Sequence, residues 1–575
     1  MSPQLSLIPP RAMTRSSKLG ASSSPPVHGF GGILTALGDF GPFQKWLVFW
    51  LALPSMISPF FFFGQMFMLL EPQHHCNTSW ILALSPNLSK EQQLYLTLPR
   101  QANGTFEACR MYRPEPGWGI DKIISFGLNE TEDCQDGWVY LSEEPPSLVT
   151  EFNLVCDRKY EKEVSQSIFM AGLLLGAATF GPLSDRFGRR ITILVELLLQ
   201  AVIGIGTAFV PNFYLYMALR FVVGTAVSGF AISYITLTTE WVGPTQRTLA
   251  VTIAPCFFAL GQMVLAGLAY GLRNWRLLQL AGASPIVLLF FYVWVLPESA
   301  RWLLVRGRVD EARELMKKAA GCNHRMIPQE LLDKLQNETK PPRGNILDLF
   351  RQQHLRKVTL ILLAVWFVDS LVYYGLSLNV GSFGLDIYLT QLVFGLVELP
   401  ARLGCVVVLQ RFGRRRCQAW TLIAGGGMCL IIIFIPSDFP VLITVLAVIG
   451  KFATTAAFTI SYIYSAELFP TIIRQTGMGL VAMASRTAGI ITPLIGLLRE
   501  YHPAIPMAIF GSIPILVGVL CFLLPETKDR ELQDWLDGPG NTHQTKGAAG
   551  GCNGQDQVKE AKTDVRTDAL PSTYL

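Results

Sequence analysis

A chain of 575 residues that is half apolar and only 15% charged, with a mean hydropathy of +0.37, is too apolar for a soluble protein, in which about a quarter of residues carry charge. The formal net charge of +5 gives no reason to invoke a nucleic-acid partner; what matters is where the basic residues fall relative to the apolar spans. The expectation is an all-α membrane protein of many spans.

Residues 1–45 read as a cytosolic leader, Ser/Pro-rich over 1–30 with Arg11, Arg15 and Lys18, and without the compact apolar core and cleavage site of a signal peptide. The first span is expected over 46–70 and is rich in aromatics (PFFFFGQMFMLL, 59–70). A polar stretch, 71–164, follows with four N-x-S/T sequons, at Asn77, Asn87, Asn103 and Asn129, each an acceptor for glycosylation on a secretory-side surface. Four of the eleven cysteines, Cys76, Cys109, Cys134 and Cys156, lie in the same stretch. An even number in an oxidising compartment implies two disulfides, with three connectivities open. His74, His75 and Cys76 lack a second ligand pair, so no metal site is expected. The loop reads as extracellular.

Five further spans follow at about 165–184, 191–210, 213–238, 250–271 and 278–296. The segment 297–357 then carries thirteen Lys/Arg, and its stretch VDEARELMKKAA (309–320) has helical periodicity with too much charge to enter a membrane. A further sequon, at Asn337, falls here. Six more spans are expected at about 358–378, 385–410, 418–435, 440–465, 475–498 and 504–524, before a Gly-rich polar tail, 525–575. Twelve spans put both termini on one side. The basic segment and the Arg-rich turns DRFGRR (185–190) and RFGRRR (411–416) fall opposite the sequon-bearing loop, so charge bias and sequons agree on cytosolic termini.

The chain repeats itself. DRFGRR at 185–190 aligns with QRFGRRR at 410–416, TEWVGPTQR (239–247) with AELFPTIIR (466–474), and LPES (296–299) with LPET (524–527), at nearly one offset. Glu240 and Arg247 stand seven apart, as do Glu467 and Arg474. Two six-helix halves, 46–296 and 358–524, are expected, and parallel repeats of this kind place a guest between the halves near the midplane. Asp185 with Arg186, Arg189 and Arg190, and in the second half Arg411 and Arg414, would form ion pairs at the cytosolic rim that hold one conformation and break in another.

The motifs GxxxDRxGRR, PESARWLL (297–304), AELFPTIIRQTGMG (466–479) and LPET resemble the organic ion (solute carrier 22) branch of the major facilitator superfamily, over roughly 35–530. The stretch YYGLSLNVGSFGLDIYLTQLVFG (373–395) and the terminal STYL are most similar to the organic anion transporters that accept nicotinate and urate. The resemblance implies the twelve-helix, pseudo-symmetric major facilitator fold and alternating-access transport.

Ionisable residues within the spans are few: Glu196, Arg220, Asp369, Glu398, Arg402, Lys451 and Arg486. Arg486 lies near the centre of RQTGMGLVAMASRTAGIITPLIGLL (474–498), a depth at which a cation is costly unless it faces protein or water. Arg220 reads as structural, and Asp369 and Glu398 as partners for Lys451 or Arg402, the pairing left open. By the resemblance, Arg486 matches the helix-11 arginine tied to anion recognition, Lys451 and Arg402 match basic positions on helices 10 and 8, and Tyr373, Tyr374, Phe458 and Phe258 match aromatic positions of the central cavity. Where several relatives place asparagines in helix 1 this chain has Phe62 and Met66, which implies a more apolar ceiling with Gln65 as its one polar group.

Gly450-Lys451 lacks the rest of a phosphate-binding loop, and neither HExxH nor GxSxG occurs, so the expectation is no enzyme, no cofactor and no ATP drive. Thr573 and Leu575 fit capture of the C-terminus by a PDZ scaffold, which would tether the carrier apically at the plasma membrane. The leading function is exchange of small organic anions across the bilayer. The alternatives are a cation or zwitterion carrier of the same branch, or a non-transporting receptor or scaffold.

Overall fold

The computed structural model describes residues 30–101, 104–141, 145–243, 246–328, 347–470 and 473–528. The leader to residue 29, Asn103, Asn337 and the tail from 529, with Thr573 and Leu575, lie outside the described residues. Among the described residues, twelve helices are long and apolar enough to cross a membrane: α1 (Pro42–Met68), α2 (Cys156–Phe187), α3 (Arg189–Phe209), α4 (Phe213–Trp241), α5 (Leu249–Gly271), α6 (Trp275–Val295), α7 (Gln353–Leu378), α8 (Ile387–Phe412), α9 (Arg414–Ile433), α10 (Pro440–Leu468), α11 (Thr476–Glu500) and α12 (Ala504–Cys521). Their number and order are those read from the sequence. Pro54 turns α1 into a short 3-10 step at Leu53–Met56, because a proline removes one helical N–H.

Small residues set the helix spacing. A Cβ on Gly172 or Gly176 of α2 would lie 2.2 Å from the Phe221 or Thr225 carbonyl oxygen of α4, so only glycine allows this approach. The two halves meet chiefly along α2 with α11 and α5 with α8.

The polar loop between α1 and α2 is a small disulfide-tied unit. β1 (His74–Cys76) pairs antiparallel with β4 (Trp138–Tyr140), and β2 (Arg110–Tyr112) with β3 (Thr131–Asp133). Of the three connectivities the structure has Cys76–Cys134 and Cys109–Cys156. His74 lies beside the second bridge, whose sulfurs are thereby spent. Asn87 and Asn129 are exposed, while Asn77 is half-buried with its amide on the Asp136 carbonyl at 3.3 Å.

On the opposite, terminal face, helices Phe30–Leu37, Ala300–Val305 and Val309–Cys322 pack under the first half. Asn323 knots them to α1: its amide donates to the Leu37 carbonyl and to Gln44 Oε1, both at 2.9 Å, and its oxygen accepts the Phe43 N–H at 2.8 Å.

Candidate functional site

The duplicated turns fold alike. Gly188 and Gly413, at φ of 103° and 84°, end α2 and α8 in a conformation that favours glycine. Arg189 then grips Glu240 with two hydrogen bonds, at 3.0 and 3.1 Å, and also meets Asp185 at 2.9 Å. Arg414 grips Glu467 in the same way, at 3.0 Å. The glutamates of LPES and LPET cap the next helix: Glu298 accepts the Arg189 N–H at 2.9 Å and Glu526 the Arg414 N–H at 2.8 Å, placing a carboxylate at each helix's positive end. Trp302 of the PESARWLL segment and Arg306 just beyond it donate to the Asp185 carbonyl at the end of α2.

Several gating candidates are placed differently from the expectation. Glu240 and Glu467 pair with the turn arginines, whereas Arg247 and Arg474 donate Nε–H to the Val242 and Phe469 carbonyls of their own halves. The side chains of Arg186 and Arg190 meet the Phe187 ring and the Val293 carbonyl, and Arg411 offers its carbonyl to Lys528 at 3.2 Å. The Arg189 and Arg414 ion pairs therefore tie helices within one half. Burial, followed by the charges of Arg301 and of Arg474 from the other half, lowers the Arg247 pKa.

Near the midplane the sequence's candidates converge. Glu398, fully buried on α8, accepts Tyr373 Oη–H at 2.7 Å, Gln262 Nε2–H at 2.7 Å, Lys451 at 2.9 Å and Arg402 at 2.9 Å. This settles the pairing left open: Lys451 and Arg402 both belong to Glu398. Asp369 instead receives Ser461 Oγ–H, and Glu196 accepts Ser233 Oγ–H at 2.9 Å. Arg220 donates to Gln166 Oε1 at 3.0 Å and the Phe61 carbonyl at 3.1 Å, with its guanidinium over the Phe169 ring, the structural role expected of it.

The three basic candidates are not equivalent. Lys451 is 0% exposed, and its ammonium is spent on Glu398, Ser377 Oγ at 2.6 Å and the face of Tyr373 at 3.3 Å. These partners occupy its donors in this conformation. Arg402 commits one nitrogen to Glu398 and keeps Nε buried and unpaired. Arg486 is the freest: among the described residues no acceptor meets its Nε, and its electrostatic neighbours are the hydroxyls of Tyr374 and Tyr462.

Aromatic rings run between these charges. Phe62 of α1 lies parallel to Tyr374 of α7 at 6.0 Å and packs edge-on to Phe258 of α5 at 5.7 Å. Tyr373 contacts Tyr374 at 5.4 Å and Phe458 at 5.9 Å. Tyr373 spends its hydroxyl on Glu398, while Tyr374 stays partly exposed between Phe62 and α11. Phe62 packs among these rings, while Gln65 is 2% exposed and turned to the Lys162 carbonyl. Sequence reading missed Tyr462 and Gln262. Tyr462 lies one turn from Phe458 on the same helix, and Gln262 is a neutral polar residue in an apolar span, a signal lost by counting only ionisable groups.

The family described as "Sugar (and other) transporter" matches residues 128–535. The chain is 59% identical over 505 residues to human "Solute carrier family 22 member 13", covering 88% of this chain and 92% of that protein. The chain belongs to solute carrier family 22. Human "Solute carrier family 22 member 14" is 39% identical over 88% of both chains, and zebrafish "Solute carrier family 22 member 6" 37% identical over 88% of this chain and 93% of its own. Among solved structures, the partially occluded inward-open xylose transporter XylE from E. coli superposes with a TM-score of 0.57 at 15% identity, over 85% of this chain and all of its own. The human organic anion transporter MFSD10 (TETRAN) does so at 0.50 and 15% identity, over 83% of this chain and 99% of its own. These two share the fold. The protein is accordingly a multi-pass membrane transporter of the major facilitator fold and not an enzyme, as its solute carrier 22 relatives are.

Proposed function

We propose that this solute carrier 22 transporter exchanges organic anions, aromatic carboxylates and urate among them, across the plasma membrane by alternating access. The observation that carries the reading is Arg486, a cation deep in α11 with an unpaired Nε and no carboxylate partner among the described residues, next to Tyr374 and its stack on Phe62. A guanidinium in a partly dry site grips a carboxylate with two parallel hydrogen bonds, and flat rings add contact area to an aromatic guest. Arg402 supplies the second cation, Phe258 and Phe458 extend the aromatic wall, and Lys451 with Tyr373 holds Glu398 in place. The Arg189–Glu240 and Arg414–Glu467 clusters keep each half rigid while the halves rock. In this reading the loop is extracellular, with Asn77, Asn87, Asn103 and Asn129 glycosylated. Both termini are cytosolic, with Thr573 and Leu575 offered to an apical PDZ scaffold.

The test is uptake of labelled nicotinate and urate into expressing cells, with and without preloaded unlabelled anions. Saturable uptake stimulated by the internal anion is expected; lack of saturable uptake of any anion sinks the reading. Arg486→Asp abolishes anion uptake at normal surface abundance. A cation or zwitterion carrier is the second reading, kept by Asp369, a buried carboxylate with the neutral neighbours Ser461 and Gln418. It requires uptake of an organic cation that Asp369→Asn removes.

A further inference from the structure

We infer that Gln262 is a positioning residue for transport: its side-chain amide ties closure of the loop side to the charge cluster of the anion site. Gln262 lies on α5 in the first half and is 0% exposed. Both ends of its amide are spent on the second half. Nε2–H donates to Glu398 Oε1 at 2.7 Å, and Oε1 accepts Gln391 Nε2–H at 3.2 Å. The other three donors on Glu398 (Tyr373, Lys451 and Arg402) come from the second half itself, so Gln262 is the member of that coordination sphere that reaches across. The backbones are close here, since a Cβ on Gly395 of α8 would stand 3.0 Å from the Ala259 carbonyl oxygen of α5.

Other contacts between the halves place this bond on the closed side. Ser167 Oγ–H donates to the Ile490 carbonyl at 2.9 Å, Phe67 stacks on Tyr388 at 5.3 Å, and Tyr270 meets Tyr388 edge-on at 5.7 Å, all between the midplane and the disulfide-tied loop. Opening that side draws α5 away from α8. The carboxylate then loses a charge-assisted donor, and Gln262 gives up both of its partners. A buried hydrogen bond to a charged group shifts an equilibrium by about tenfold or more. The bond therefore weights the carrier toward the loop-closed state, and it does so through the carboxylate that neutralises Lys451 and Arg402.

The inference rests on the anion-exchange reading above, and paired influx and efflux measurements with labelled nicotinate separate the two. In Gln262→Leu, which keeps the bulk and removes the amide, the apparent KM on the loop side falls and that on the terminal side rises, each by about threefold to tenfold, at wild-type surface abundance. Gln391→Leu, which removes only the neutral bond, gives a smaller split in the same direction and carries the test alone if Gln262→Leu does not reach the membrane. A purely structural role lowers Vmax in both directions and leaves both KM values unchanged, or moves them together; either result overturns the latch. If the wild-type protein shows no saturable anion flux, the exchange reading fails; if wild type transports and neither variant splits the two KM values, only the latch fails.

Discussion

Arg486 and Lys451 are both cations in apolar helices, yet the structure gives them opposite physics. Lys451 is enclosed, with Glu398 at 2.9 Å, and belongs to a buried ion pair whose desolvation is offset only while both partners remain. Glu398→Ala leaves a buried ammonium without its counter-ion and is expected to cost about 3–5 kcal/mol, read as a large fall in the melting temperature of detergent-purified protein. Arg486 has no such partner, so Arg486→Ala removes an uncompensated charge and leaves the melting temperature level or higher, while anion uptake is lost. A fall in melting temperature for Arg486→Ala as large as that for Glu398→Ala would show the arginine to be structural. The sequence could rank Arg486 as costly but could not tell it from Lys451, because a carboxylate two helices away along the chain becomes a neighbour of Lys451 only after folding.

The helices and the loop show which small motifs bear load. Gly172 and Gly176 allow α2 to touch the α4 backbone, whereas Gly181, five residues on, has open space where a Cβ would go. Gly176→Leu is expected to force the helices apart and cost more than about 2 kcal/mol, while Gly181→Ala stays within about 0.5 kcal/mol; thermal melts of the two variants check the contrast. The capping glutamates act at equivalent places in the two halves. Glu298→Gln and Glu526→Gln should each cost about 1–2 kcal/mol, since each loses a charge-assisted bond at a helix N-terminus. In the loop, non-reducing peptide mapping should recover Cys76 linked to Cys134 and Cys109 linked to Cys156. Removing either link releases chain entropy worth about 4 kcal/mol for separations of 58 and 47 residues, and surface abundance should drop. Cysteine parity implied two bridges, but which cysteines meet depends on how the loop folds back on itself, which its short strands do not announce in sequence.

At the scale of the molecule, two copies of one six-helix plan close around a shared midplane. Preloading cells with an unlabelled anion should raise initial uptake of nicotinate severalfold if exchange is the mode, and epitope tags at either end should react only in permeabilised cells. Most of this plan was already legible in the chain. Twelve apolar runs, the repeated DRFGRR, Glu-to-Arg and LPES/LPET spacings, and the family resemblance sufficed for the helices, the duplication and the major facilitator fold, because hydropathy and turn chemistry are local properties that survive in one dimension. The partners of the charges were decided in three dimensions. Glu398 gathers donors from α5, α7, α8 and α10, Arg247 and Arg474 donate to backbone carbonyls of their own halves, and Gln262 reaches the other half. Sequence spacing carries no information on which faces of distant helices meet. Packing alone fixes which buried charge is neutralised and which, like Arg486, keeps an unpaired nitrogen among the described residues.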